Sequence, residues 1–135
     1  MTLSVSVPIL GLAFLVFGCA SVRDGEFVEA GFEDETVEAV DASTLRVKSG
    51  TTVTQAELND GRVMFRMNNG QTAYACNCRC GAPSVCESSV LGDTIKCTGD
   101  CGGTDENGFP CSGCQWRRVR VPTNVIFRPS DIALP

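Results

Sequence analysis

Eight cysteines between Cys76 and Cys114 constrain this chain more than any other feature. They stand at Cys76, Cys78, Cys80, Cys86, Cys97, Cys101, Cys111 and Cys114; the ninth, Cys19, ends an apolar N-terminal run. The residues between them are largely turn formers: Gly81-Ala82-Pro83, Gly99, Gly102-Gly103-Thr104, Asn107-Gly108 and Ser112-Gly113. A region so rich in glycine has little apolar surface to bury, so cross-links must hold it. Cys76, Cys78 and Cys80 alternate along an extended stretch and share one face. Cysteines two apart in a strand sit too far apart at Cβ to bridge each other, so each of the three requires a distant partner.

Three chemistries compete for these thiols. Four disulfides formed in an oxidising compartment are the leading expectation. Each would add roughly 2–4 kcal/mol, mainly by restricting the unfolded chain. Eight cysteines admit on the order of a hundred pairings, and spacing does not choose among them. The second chemistry is zinc, in two sites of four thiolates. Cys111-Ser112-Gly113-Cys114 has a zinc-knuckle gap, and Cys97 and Cys101 have a permissible one. Cys76-x-Cys78-x-Cys80 resembles the Cys-x-Cys usage of metallothioneins. The third is thiol–disulfide exchange at Cys111 and Cys114. That chemistry needs a helix after the pair, and Trp116 to Val121 reads as a strand. The leading reading calls for no cofactor and no resident metal. Asp105-Glu106-Asn107-Gly108 lacks the spaced ligands of a calcium loop and reads as a polar turn.

Charge narrows the function further. The net charge is −5 and there is no histidine. An acidic chain is a poor partner for nucleic acid. Without histidine there is no Ser-His-Asp or Cys-His catalysis and no imidazole metal ligand. The expectation is a non-enzymatic protein.

The N-terminus carries an export pattern. Leu3 to Gly18 is uncharged and apolar apart from Ser4 and Ser6. Sixteen helical residues reach roughly 24 Å, short of the roughly 30 Å hydrocarbon core of a bilayer. The stretch has the size of a signal-peptide apolar region, with Pro8 inside it. Leu15-Val16-Phe17-Gly18-Cys19, followed by Ala20-Ser21, resembles the lipobox of bacterial lipoproteins. The resemblance implies that the Cys19 sulfur receives a diacylglyceryl group and that cleavage leaves Cys19 as the first residue. It implies a lipid anchor in a bacterial cell envelope, at the outer membrane or the periplasmic face. Ordinary signal-peptidase cleavage after Ala20, or retention of the segment, are the alternatives. Under either cleavage reading the domain keeps eight thiols, an even number.

The rest divides by charge and periodicity. Residues 1–18 are read as signal and residues 19–41 as a lipidated cysteine with an acidic tether. Asp24, Glu26, Glu29, Glu33, Asp34, Glu35, Glu38 and Asp41 face only Arg23 there. High net charge with little to bury predicts a solvated segment. Residues 42–135 are read as a small, mostly β, disulfide-rich domain. Strands are predicted at Thr44 to Lys48, Thr51 to Leu58, Arg62 to Met67 and Gln71 to Cys76. Asn59-Asp60-Gly61 and Asn68-Asn69-Gly70 supply hairpin turns. A turn or two of helix is expected near Pro83 to Leu91. Two C-terminal strands follow, Trp116 to Val121 and Thr123 to Arg128. Trp116, Arg118 and Arg120 share a face of the first. They read either as an edge strand guarded by charge or as an anion-binding face. Candidate partners are therefore the membrane, through the lipid, and an envelope polymer or protein.

Overall fold

The computed structural model describes residues 25–58, 61–81 and 86–134. Among these no residue is helical, and nine strands form two antiparallel sheets. The first sheet contains β1 (Val37–Asp41), β2 (Thr44–Val47), β6 (Glu87–Leu91) and β7 (Thr94–Thr98), in the order β1-β2-β7-β6. The second contains β3 (Val53–Glu57), β4 (Val63–Met67), β5 (Thr72–Asn77), β8 (Gln115–Arg120) and β9 (Arg128–Pro129), in the order β8-β5-β4-β3-β9. The small, mostly β, disulfide-rich domain expected from the sequence is what the chain forms.

Local chemistry explains the hairpins. Between β4 and β5, Asn68 and Asn69 both have positive φ, 56° and 54°. Two left-handed central residues make the type I′ turn, whose twist matches that of the flanking strands. Gly70 donates its amide to the Met67 carbonyl to close it. Beyond the turn, Phe65 stands opposite Tyr74 and Met64 opposite Ala75.

Alternation then sorts side chains into two apolar layers. Val37, Leu45, Val47 and Ile95 from the first sheet meet Val53, Phe65, Met67, Tyr74 and Trp116 from the second in one buried cluster. Cys76, Cys97 and Cys114 belong to the same cluster. Trp116 is fully buried and stands edge-on to Phe65, with ring centroids 5.8 Å apart. The outer face of the second sheet carries Ala56, Met64, Ala73 and Ala75. Val121, Val125 and Phe127 cover that face, with the Arg66 guanidinium over the Phe127 ring.

The acidic segment does not behave as a tether. Within residues 25–41, Val28 and Val37 are fully buried, and Val37–Asp41 is the edge strand of the first sheet. Three of its glutamates point outward, where Glu38 pairs with Arg46, Glu33 with Lys48 and Glu29 with Arg79. Val28, Val37 and Ala39 supply the buried side of a segment that net charge alone marks as solvated. The fold therefore includes residues well before Ala42, the boundary expected from composition. Three further strands differ from expectation. Glu87–Leu91 is a strand where a helical turn was expected, and β7 lies inside the cysteine-rich region. The last strand is shorter than the stretch Thr123 to Arg128, with only Arg128 and Pro129 paired to β3. Proline at that position suits an outer edge, since it has no amide to offer a neighbour.

If the N-terminal segment is part of the core, Val28→Asp should destabilise the domain by on the order of 3–5 kcal/mol, because it buries an unpaired charge. Val40→Asp, at a half-exposed bulge position, should change stability by less than about 0.5 kcal/mol. Urea unfolding of the two variants measures the contrast. Equal, small effects would return the segment to the status of a tether.

Candidate functional site

The cysteines lie at one end of the sandwich, where strands of both sheets terminate. Cys76, inside β5, bonds Cys97, inside β7, and so ties the second sheet to the first through the core. Cys78, one residue past β5, bonds Cys101. Cys80 bonds Cys111, and Cys86, one residue before β6, bonds Cys114, one residue before β8. Their Cα separations, 5.4, 5.8, 5.7 and 5.7 Å, lie in the range a disulfide spans without backbone movement. The first four cysteines of the region thus pair with the last four in the same order, so every closed loop interlocks with the other three. Cys76, Cys78 and Cys80 each take a distant partner, as the strand geometry requires. Cys111 and Cys114, the pair with redox spacing, belong to different bridges.

The glycines let these loops approach backbone to backbone. Gly81 has φ +86°, and a Cβ there would lie 1.8 Å from the Gly102 carbonyl oxygen and 3.0 Å from the Cys111 Sγ. At Gly113 a Cβ would come within 2.8 Å of the Gly99 carbonyl oxygen. Next to it, the Cys114 amide donates to that same Gly99 carbonyl. The Asp105 turn closes on itself: its Oδ1 accepts from the Asn107 and Phe109 amides. That is the ordinary chemistry of an aspartate-led turn.

Two of the bridges touch. Cys78 Sγ lies 3.6 Å from Cys86 Sγ, and Cys101 Sγ lies 3.9 Å from Cys114 Sγ. All four sulfurs fall within 4.8 Å of one another. Among the described residues this is the group of cysteine and acidic side chains whose atoms converge as metal ligands do. Cys114 is buried and the other three are half-buried. Spacing alone missed this grouping, because its members come from four separate segments and share no short motif.

The arginine strand is organised differently from either expectation. Trp116 and Arg118 do share a face, but that face turns into the sandwich. Fully buried, Trp116 presents no ring to a ligand. Arg118 is half-buried and near enough to Asp34 and Tyr74 for its charge to act on both. Arg120 is exposed at the strand's end. The outer edge of β8 is also occupied. Val28 and Gly25 donate their amides to the Trp116 and Arg118 carbonyls, and the Arg118 amide donates to the Glu26 carbonyl. The chain's own N-terminal segment closes this edge, so charge need not guard it. On the opposite face of β8, Arg117 donates through Nε to the Gly25 carbonyl and lies over the Phe27 ring, which Arg79 also approaches.

Asp34 anchors the start of β1. Its Oδ1 accepts from the Thr36 and Val37 amides and from the Thr36 hydroxyl, and the Tyr74 hydroxyl donates to its Oδ2. Burial pushes the Asp34 carboxyl up, but these hydrogen bonds and the Arg118 charge outweigh it and hold the group below its ordinary value. Burial and the neighbouring carboxylate push the Tyr74 phenol far above its own. Both shifts belong to a structural cap. Cys19, the lipidation candidate, lies outside the described residues. No family model, curated protein or solved structure matches the chain.

Two measurements follow from these contacts. A carboxyl depressed in the folded state stabilises it fully above the unfolded value and loses that contribution as pH falls through the folded one. Asp34→Asn should therefore lower stability at neutral pH, and the deficit should shrink as pH drops below 3.8. Parallel denaturant titrations across that range read the effect; a deficit independent of pH would show that the charge is not what matters. Gly81→Ala should prevent the Cys80–Cys111 bridge from closing, at a cost of roughly 2–5 kcal/mol. Disulfide mapping of the oxidised variant identifies the missing bond.

Proposed function

We propose that this protein is an exported, lipid-anchored, non-catalytic module of a bacterial cell envelope, acting as a structural or binding element. The observation that carries the reading is the set of four interlocked disulfides, a device of proteins that mature in oxidising compartments. The lipobox-like Leu15 to Cys19 supports it independently. With residues from Gly25 onward in the fold, six residue steps separate it from Cys19. Such a span reaches at most about 20 Å, so a lipidated Cys19 would hold the domain against the membrane surface. The bridges suit that setting, since they restrict the unfolded chain of a thin-cored domain in a compartment where disulfides persist. Its partners would be the membrane, through the lipid, and an envelope polymer or another envelope protein. Neutral thiol chemistry plays no part in this role, and neither does a cofactor.

The anchor and the bridges are tested separately. Intact mass of the native protein should show a chain beginning at Cys19 and carrying acyl chains, and the protein should partition into detergent. Cys19→Ser should abolish both. An unmodified chain beginning at Ser21 would end the anchor reading. Alkylation under denaturing conditions should find eight protected cysteines that react only after reduction, with chelator making no difference. Reactivity without reductant would remove the cross-linked, exported module from consideration.

A further inference from the structure

We propose that Cys78, Cys86, Cys101 and Cys114 form, in the reduced chain, a single tetrahedral site for zinc or a similar thiophilic divalent cation. The proposal goes beyond the anchored module and rests on the sulfur positions alone. Four thiolates around zinc sit about 2.3 Å from the metal, which places the sulfurs of a tetrahedron about 3.8 Å apart. The contacts between the two bridges, 3.6 Å for Cys78 to Cys86 and 3.9 Å for Cys101 to Cys114, already match that separation. On reduction, each bonded pair opens to the same distance, and the remaining cross-pairs, which lie within 4.8 Å, adjust to it.

The scaffold is suited to hold that arrangement. Cys78, Cys86 and Cys114 each lie one residue from a strand end, so β5, β6 and β8 fix three of the four ligands. Sites built next to rigid elements keep their geometry better than sites on free loops. Cys76–Cys97 and Cys80–Cys111 contribute no sulfur to the cluster. The assignment also separates the structure from the sequence motif. A zinc knuckle would use Cys111 with Cys114, whereas the structure groups Cys114 with Cys78, Cys86 and Cys101.

The chemistry balances in two steps. A phosphine reductant gives two electrons to each bridge and takes up the oxygen of one water, whose two protons end on the sulfurs. Two bridges yield four thiols. The metal then displaces four protons, leaving a four-thiolate complex of charge −2. Cells would meet this state in the newly exported chain before oxidation, when the same four sulfurs are free thiols.

The test uses the full chain, reduced anaerobically with a phosphine that does not bind metal, and titrated with cobalt(II) chloride and then zinc chloride. The expected result is one metal per chain, the ligand-field and charge-transfer bands of tetrahedral four-sulfur cobalt, about four protons released per metal, and β-type circular dichroism that reduction alone diminishes. Cys78→Ser/Cys86→Ser should weaken binding by more than about 100-fold, since losing ligands exceeds the effect of disturbing their outer shell. Cys80→Ser/Cys111→Ser should bind as the unaltered chain does, whatever its stability. Two or more metals of similar affinity, equal binding by the Cys78/Cys86 variant, loss of binding in the Cys80/Cys111 variant, or no binding at all would each overturn the proposal. Lipid status of Cys19, read by mass on the same samples, keeps failure of the anchor distinguishable from failure of the site.

Discussion

The bond between Cys76 and Cys97 is the constraint on which the rest of this structure depends. It is the bridge whose two cysteines both lie inside strands, one in each sheet, and both are buried in the core. By fixing the end of β5 against the end of β7, it sets where the chain leaves each sheet. Cys78 and Cys80 then emerge on the same side at two-residue steps and meet the returning segment at Cys101 and Cys111. The interlocked order follows from two strand ends being pinned and the loops between them being too polar to choose a path by burial. Small domains with thin cores commonly rely on this substitution of covalent constraint for apolar area. Here the balance is uneven within one molecule. The sheets hold themselves by Trp116, Phe65, Leu45 and Ile95, whereas the loops beyond Cys97 expose most of their residues and are defined by bridges and close glycine contacts.

A second dependence runs through backbone hydrogen bonds. Strand β8 ends the order of its sheet and would leave carbonyls and amides open to another chain. Residues 25–28 take up those groups and bury Val28 beneath the sandwich edge in the same step. The same segment continues into β1 of the other sheet, so it links both sheets from outside while Cys76–Cys97 links them from within. Its acidic character is compatible with this because most of its carboxylates lie on the solvent side of the segment. Glutamates there pair with Arg46, Lys48 and Arg79. Exposed pairs of this kind contribute little to stability, so the burial of Val28 and Val37 decides that the segment folds.

Much of this architecture was legible in the residues. The hairpin at Asn68-Asn69 was readable because only a few residue types accept two left-handed positions in succession, and that chemistry is local. The alternation of Trp116 to Val121 and the distant partners of Cys76, Cys78 and Cys80 were readable for the same reason. What was not readable is whatever depends on which side of a strand meets the other sheet. Periodicity placed Trp116, Arg118 and Arg120 on one face, but it carries no sign, and that face turned out to be the inner one at Trp116. The N-terminal segment was misjudged because net charge averages over both faces, while the burial of Val28, Val37 and Ala39 depends on alternation over only a few residues. Strands β6 and β7 were hidden by the turn-rich surroundings of the cysteines. Disulfide pairing is a property of three-dimensional neighbours, and the close spacing of Cys111 and Cys114 says nothing of it, since they belong to different bridges.

The two touching bridges connect these points. A disulfide needs one neighbour per sulfur, and four sulfurs held by two disulfides have no covalent reason to approach one another. Their convergence comes from the strands: β5, β6 and β8 deliver Cys78, Cys86 and Cys114 to one spot, and the glycine loop between Gly99 and Gly103 brings Cys101 beside them. The core itself places Cys114, which sits in the same buried cluster as Trp116 and Phe65, whereas Cys101 is held by its loop and by the bridge to Cys78. Packing and cross-linking therefore act together here: strand ends deliver three of the sulfurs, and the bridge to Cys78 holds the fourth. If the proposed site forms in the reduced chain, the same end of the fold has two ways to close. Oxidation joins the sulfurs in pairs, and a thiophilic cation joins all four through one atom. Under that proposal, the supply of oxidant and metal where the chain folds would decide which closure is reached first.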